Sequence, residues 1–431
     1  MIKLHGVYAV ATISRLITIT LAVISGLWTG TYDSSASIQL SSVSNVGRSI
    51  LSVFLRWDAL YFLHIADKGY IYEQEHAFLP GMPLVARLLA NTVFRPLHVY
   101  LGRQYTLLLS GIVTANVSFI LAAGALYSLT RSVFPNNVKL SGLAAVAFCV
   151  SPPSLFMSSF YTESLFAYLS FSGMNFMSRG HPLLASIVWS FASATRSNGI
   201  IYAGFFIYHL IIQPCLSRPF SFKVIILGVL RTVIYTALTW SGFLAFQYYG
   251  YLQHCTHEPL RPWCSSTFPL LYSFVQKEYW NNGFLAYYEL KQLPNFLLAA
   301  PIIGLSIYGL WTYAQYDWTR FLTLGAVSRR PLGTSEDNTF TSFRAASYIY
   351  LWGVLLLYVT TTMHVQVILR FFTSLPPLYW FMAHLWTQGY DESNPKPSSS
   401  VHKLTANILL SYLVLYGMVG IVLFAGFLPP A

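Results

Sequence analysis

Fourteen of the 431 residues are Asp or Glu, and two of these interrupt long apolar stretches. Asp58 stands inside Ile50-Leu-Ser-Val-Phe-Leu-Arg-Trp-Asp-Ala-Leu-Tyr-Phe-Leu63, two positions after Arg56. Partial burial favours the protonated form of a carboxyl group, which moves Asp58 toward the range of a useful general base at a membrane face. The same spacing also fits an Arg56–Asp58 ion pair at an interface. Trp57 between them can stack on a sugar or anchor a helix at the headgroup level. Glu163, in Phe160-Tyr-Thr-Glu-Ser164, divides two further apolar runs. Thr195-Arg-Ser-Asn-Gly199 interrupts another, and Gln366 and Arg370 lie four residues apart on one helical face. Guanidinium groups such as Arg196 and Arg370 suit lipid phosphate through paired hydrogen bonds. Alternatively, Glu163 pairs with one of them to hold helices together. Glu73 or Glu75, in a loop marked by glycine and proline, could be a second carboxylate for chemistry; the alternative is that both are solvated loop residues.

The elements that must position these groups follow from composition. Hydrophobic residues make up 55% of the chain and charged residues 9%, against about 25% charged in soluble domains. Apolar segments fall at about 7–29, 105–130, 140–157, 164–178, 182–195, 199–214, 224–249, 294–313, 346–363, 366–388 and 405–428. The chain reads as an all-α polytopic membrane protein of about 9–11 spans, some of the short ones broken or re-entrant. The segment 7–29 reads as a retained first span, although it contains Arg15. With the N-terminus in the cytosol, the cytosolic turns collect Arg131, Lys139, Arg179, Arg218, Lys223, Arg320, Arg329, Arg330, Arg344, Lys396 and Lys403, as the positive-inside rule requires. The opposite side collects Asp33, Asp58, Asp67, Glu73, Glu75, Glu163, Glu258, Glu278 and Glu289. Two loops on that side, 30–104 and 250–293, are too long to be mere turns. The first reads as interfacial helices along the membrane, 50–63 and 78–84, with Pro80 and Pro83 fixing turns between them.

The same features exclude whole classes. A soluble, disordered or disulfide-rich secreted protein is ruled out, and long non-alternating apolar runs argue against an outer-membrane barrel. The net charge of +11 is scattered singly, so no nucleic-acid partner is expected. There is no Walker loop, dinucleotide glycine fingerprint or clustered His/Cys set, so neither a soluble cofactor nor a metal is expected. Cys149 and Cys215 lie in apolar runs. Cys255 and Cys264 share one polar loop and would form a disulfide if that loop faces an oxidising lumen.

The ordered set Arg56-Trp-Asp-Ala59, Gly69-Tyr-x-Tyr-Glu73, Ala77-Phe-x-Pro-Gly-x-Pro83, Tyr161-Thr-Glu-Ser-Leu-Phe-Ala167 and Arg196-Ser-Asn-Gly199 resembles the PIG-V family. Pro262-Trp-Cys264, Tyr279-Trp-Asn-Asn-Gly-Phe284, Tyr288-Glu-Leu-Lys-Gln-Leu-Pro-Asn-Phe296 and Val365-Gln-Val-x-x-Arg370 extend the resemblance over about 50–380. The resemblance implies a GT-C-type glycosyltransferase domain over 1–431 in the endoplasmic reticulum (ER) membrane, with a lumenal active site and a catalytic first loop. It implies the second mannosyltransferase of glycosylphosphatidylinositol (GPI) anchor assembly. The donor would be dolichyl-phosphate-mannose and the acceptor a GPI precursor carrying one mannose, extended by α-1,6 linkage with inversion. Asp58 matches the first-loop aspartate and would be the base. Arg196 or Arg370 would neutralise the leaving phosphate. Arg56, Trp57, His64, Glu73, Glu163, Asn198 and Gln366 complete the expected substrate-binding set. Some relatives carry histidine near position 61, where this chain has Tyr61 and places His64 later. Membrane lipids are implied partners, and an accessory ER membrane subunit is compatible with this reading.

Two other classes fit an apolar polytopic chain. A transporter or lipid scramblase would place its ionisable groups near mid-membrane on broken, repeated helices; no internal repeat is seen, and the groups gather at one face. Another GT-C mannosyltransferase is separated only by the motifs above.

Overall fold

The computed structural model describes residues 2–36, 40, 46–216, 221–256, 258–327, 339–390 and 399–429. Arg218, Arg329, Arg330 and Lys396, which entered the side assignment, lie outside these residues, as do Glu336, Asp337, Asp391 and Glu392. Among the described residues every regular element is a helix. Seven helical segments are long and apolar enough to cross a membrane: Leu4–Trp28, Arg103–Val133, Ser197–Leu216, Phe222–His254, Leu290–Tyr316, Phe343–Thr362 and Ser400–Ala425. Three shorter apolar helices, Val138–Cys149, Pro182–Thr195 and Val365–Ser374, fill the bundle.

Close packing at the centre rests on small residues, which let helix backbones approach where no hydrophobic drive exists between them. Helix Arg103–Val133 packs along helix Glu163–Ser178, and Pro182–Thr195 lies between that helix and Phe222–His254. A Cβ on Gly111 would meet the Phe160 ring at 2.4 Å, and one on Gly173 would meet Trp189 Nε1 at 2.2 Å. Buried hydroxyls return to their own helix: Ser110, Thr114, Thr130 and Ser170 each donate to the carbonyl four residues earlier.

Two expected spans are broken. The segment 140–157 is helical only to Cys149, because Pro152 and Pro153 cannot continue a helix. The chain then turns back through 150–162 inside the bundle, where stray polar groups need partners. Arg15 supplies them from the first span: its Nη1 donates to the Ser154 carbonyl at 2.7 Å and to Ser158 Oγ at 2.9 Å. Its guanidinium lies over the Phe119 ring at 3.7 Å. The segment 366–388 divides into Val365–Ser374 and Pro376–Tyr390 at the Pro376-Pro377 pair.

The described residues of the loop 30–104 form short helices, but not with the expected boundaries. The stretch 50–63 is split: one helix, Val46–Ser52, ends before a turn and a second, Asp58–Lys68, begins at Asp58. Trp57 makes the break, with φ +52°, a left-handed value that non-glycine residues seldom adopt. Of the two prolines expected to fix turns, only Pro80 stands in a bend between helices. Pro80 precedes helix Gly81–Asn91 and Pro83 lies in its first turn, where its missing N–H costs nothing.

Candidate active site

Asp58 opens its helix and projects into a cleft of about 350 Å³ at one end of the bundle. Its turn is pinned from below, where Tyr161 Oη donates to the Arg56 carbonyl at 2.8 Å. The break in segment 150–162 therefore serves the site, since it brings Tyr161 and Glu163 beneath Asp58. Helix Gly81–Asn91 seats this loop on the bundle: a Cβ on Gly81 would stand 2.4 Å from Thr195 Oγ1, so only glycine fits beside the Arg196 turn.

A chain of alternating charge crosses the floor. Arg370 Nη2 donates to Asp58 Oδ2 at 2.8 Å, and its Nε donates to Glu163 Oε1 at 2.6 Å. Arg196 Nη1 reaches the same Glu163 oxygen at 2.9 Å and Thr162 Oγ1 at 3.1 Å. Rings sandwich both cations: Phe156 and Tyr161 against Arg370 at 4.8 and 5.0 Å, Phe166 and Phe371 against Arg196 at 5.8 and 5.0 Å. Glu163 is wholly buried, whereas the Asp58 side chain keeps 28% of its exposure. The anion beneath is thus a fixed counter-charge, and the anion above is reachable from the cleft. Asp58 Oδ1, and Nε and Nη2 of Arg196, make no hydrogen bond among the described residues. Carboxylate and guanidinium therefore present free valences to the same space. That arrangement can accept a hydroxyl proton and hold a phosphate within one cleft.

Six expected residues line the cleft: Trp57, Asp58, Arg196, Asn198, Gln366 and Arg370. Trp57 also packs on Phe427, with ring centroids 5.3 Å apart. Four others take different places. Arg56 faces away and donates to the carbonyls of Ser52, Leu55 and Ala425. It clamps the first loop to the last helix, because the left-handed turn at Trp57 sends neighbouring side chains in opposite directions. His64, one helical face away, bonds the buried Glu75. Glu73 receives hydrogen bonds from Arg261 Nε, Trp263 Nε1 and Tyr279 Oη, each at 2.9 Å, and so ties the first long loop to the second. Burial raises the Glu73 pKa, but these donors outweigh burial and hold it below the ordinary carboxylate value. Glu163 holds both arginines from below rather than touching the cleft; the helix-pairing alternative describes it better than a sugar contact. Cys255 and Cys264 are joined in a disulfide within the second long loop.

Residues that sequence reasoning did not place at the site also reach it: Tyr272, Gln276, Trp280, Asn282, Asn295 and His364. Most come from the second long loop. Its Tyr279–Phe284 motif was the available signal, but uncharged amides are common in solvated loops and nothing local singles them out beforehand. Among the described residues, no group of three or more His, Cys, Asp or Glu is placed to hold a metal ion.

Comparison with known proteins places this geometry in a family. The chain is 35% identical to GPI alpha-1,6-mannosyltransferase 2 of Homo sapiens, over 90% of this chain and 89% of that protein. It is 31% identical to GPI mannosyltransferase 2 of Schizosaccharomyces pombe, over 90% of this chain and 75% of that protein. Among solved structures it resembles the oligosaccharyltransferase of Archaeoglobus fulgidus, crystallised with Zn and sulfate, at TM-score 0.50 and 15% identity. That match covers 97% of this chain but about half (53%) of the larger protein, and it shows a shared fold alone. Residues 5–431 match the family described as Mannosyltransferase (PIG-V), and the chain belongs to that family of glycosyltransferases.

Proposed function

We propose that this protein transfers the second mannose of the GPI anchor, in α-1,6 linkage, from dolichyl-phosphate-mannose to a precursor carrying one mannose. The observation that carries the reading is the Asp58–Arg370–Glu163–Arg196 chain on the floor of a cleft at one end of the bundle. In this mechanism the acceptor 6-hydroxyl oxygen attacks the anomeric carbon of the donor mannose. The new C–O bond forms as the bond from that carbon to the phosphate oxygen breaks, and the configuration inverts. Asp58 takes the hydroxyl proton through Oδ1, while Arg370 fixes its other oxygen. The leaving phosphate carries off the electron pair and is met by the free Nε and Nη2 of Arg196, with Arg370 adjacent. Held cations of this kind stabilise charge that grows in the transition state without reorganising at the moment of reaction.

In the proposed orientation the cleft opens toward the ER lumen, with the N-terminus cytosolic. Support comes from the Cys255–Cys264 disulfide in the loop that shares the cleft, since such bonds persist in oxidising compartments. Two guanidinium groups on the phosphate side make a divalent metal unnecessary in this scheme. The test is complementation. Cells lacking their second GPI mannosyltransferase should regain surface GPI-anchored proteins when this chain is expressed. Failure to rescue, with the protein present in the ER, would remove the proposal. A reporter placed at Ser399 should be cytosolic; lumenal exposure there would reverse the side assignment.

A further inference from the structure

We infer that the second long loop builds the subsite for the acceptor sugar, with Gln276 and Asn282 as its specificity pair and Trp280 as its platform. This rests on the reaction proposed above and assigns the part of the cleft that the second long loop lines. Gln276 and Asn282 are locked together: Asn282 donates its backbone N–H to the Gln276 carbonyl at 2.9 Å and its Nδ2 to Gln276 Oε1 at 2.6 Å. The lock leaves one donor and one acceptor over. Gln276 Nε2 makes no hydrogen bond among the described residues, and Asn282 Oδ1 is a buried acceptor without a partner. Asn198, 92% buried, lines the same cleft with an unpartnered Nδ2. Buried polar atoms are rarely left without partners, so unused ones at a cleft ask for a ligand that brings both donors and acceptors.

Sugar hydroxyls do so, each donating and accepting once or more. Phosphate only accepts, and it is better served by Arg196 and Arg370. Trp280 adds an apolar face beside the amides, held edge-on by Tyr61 at 6.1 Å and Phe78 at 5.7 Å. Neutral amides with a fixed indole therefore suit a hydroxyl-rich ring without charge. The loop that carries them is anchored to the first loop through the Glu73 clamp, so the subsite stands at a set distance from Asp58.

The experiment is steady-state transfer by the full-length protein in microsomes, with a synthetic one-mannose glycolipid acceptor and a lipid-phosphate mannose donor varied in turn. Gln276→Met and Asn282→Leu keep volume and delete the amides. Each should raise the acceptor KM about tenfold, the scale of one lost hydrogen bond of about 1.4 kcal/mol, while the donor KM stays within about twofold. Gln276→Glu retains shape and an oxygen but no donor, and it should show the same split should either apolar variant fail to accumulate. A rise in donor KM with acceptor KM unchanged, or no change in either, overturns the subsite while leaving the enzyme's function intact. Wild-type protein that transfers no mannose overturns the function first and the subsite with it.

Discussion

Replacing Glu163 with Gln removes one negative charge from beneath two guanidinium groups and leaves the packing almost unchanged. In the native site Asp58 and Glu163 balance Arg196 and Arg370, so the floor is formally neutral; Glu163→Gln makes it +1. The lost interactions are two charge-assisted hydrogen bonds of 2.6 and 2.9 Å to a carboxylate with no exposure. Removing one partner of a buried pair costs about 3–5 kcal/mol. The amide oxygen still accepts, which returns part of this and leaves roughly 2.5–3 kcal/mol. Each increment of about 1.4 kcal/mol of this cost felt in the transition state lowers kcat about tenfold; kcat should fall about 10- to 100-fold, because Arg370 no longer holds Asp58 from a fixed point, and the remainder should lower stability. The donor KM should stay constant or fall, since a more positive floor attracts phosphate. Microsomal transfer with donor and acceptor varied separately reads both constants, and detergent thermal unfolding reads stability. A kcat within twofold of wild type, with an unchanged unfolding midpoint, would refute the idea that Glu163 supports the site from below.

Arg370→Lys should also lose about 10- to 100-fold in kcat, because an ammonium cannot reproduce the planar bridge to Asp58 and Glu163; the same transfer assay reads it. Cys255→Ser opens a loop whose closure contributes about 2–3 kcal/mol in the chain-entropy account, and faster proteolysis between 255 and 293 should follow in Cys255→Ser or with reductant. Acid should loosen the same loop. Because the Glu73 pKa is depressed in the folded protein, its stabilisation is present above the ordinary carboxylate value of 4.5 and is lost as pH falls through the folded value. Proteolysis against pH should therefore steepen below about pH 4.5, and Glu73→Gln should flatten that step. Gly81→Val should displace the first loop from Thr195 and cut activity more than expression, as measured by transfer per unit of immunodetected protein.

Much of this architecture was legible because apolar length and the cost of buried charge are properties of sequence. Long apolar runs gave the spans within a few residues, and the ionisable groups that interrupt them, Asp58, Arg196 and Arg370, reach one cleft. What sequence could not give was direction. Arg56 and Asp58 are two residues apart, yet the left-handed Trp57 turn sends one to the last helix and the other into the cleft. Glu73 and Glu163 are both carboxylates beside apolar runs; one became a clamp between loops and the other a buried counter-ion. The amides of the second loop were invisible for the opposite reason, since nothing local distinguishes Gln276 and Asn282 from solvated loop residues. Arg15 shows the limit of reading a span by hydropathy: a charge in the first helix serves a carbonyl and hydroxyls about 140 residues away.

Asp58 is proposed above as the base for addition of the second mannose. The most direct measurement is the lipid-linked GPI intermediate that accumulates in cells dependent on Asp58→Asn. We expect a precursor with one mannose, with the protein reaching the membrane at normal abundance. Normal anchors, or a block at any other intermediate, would contradict it.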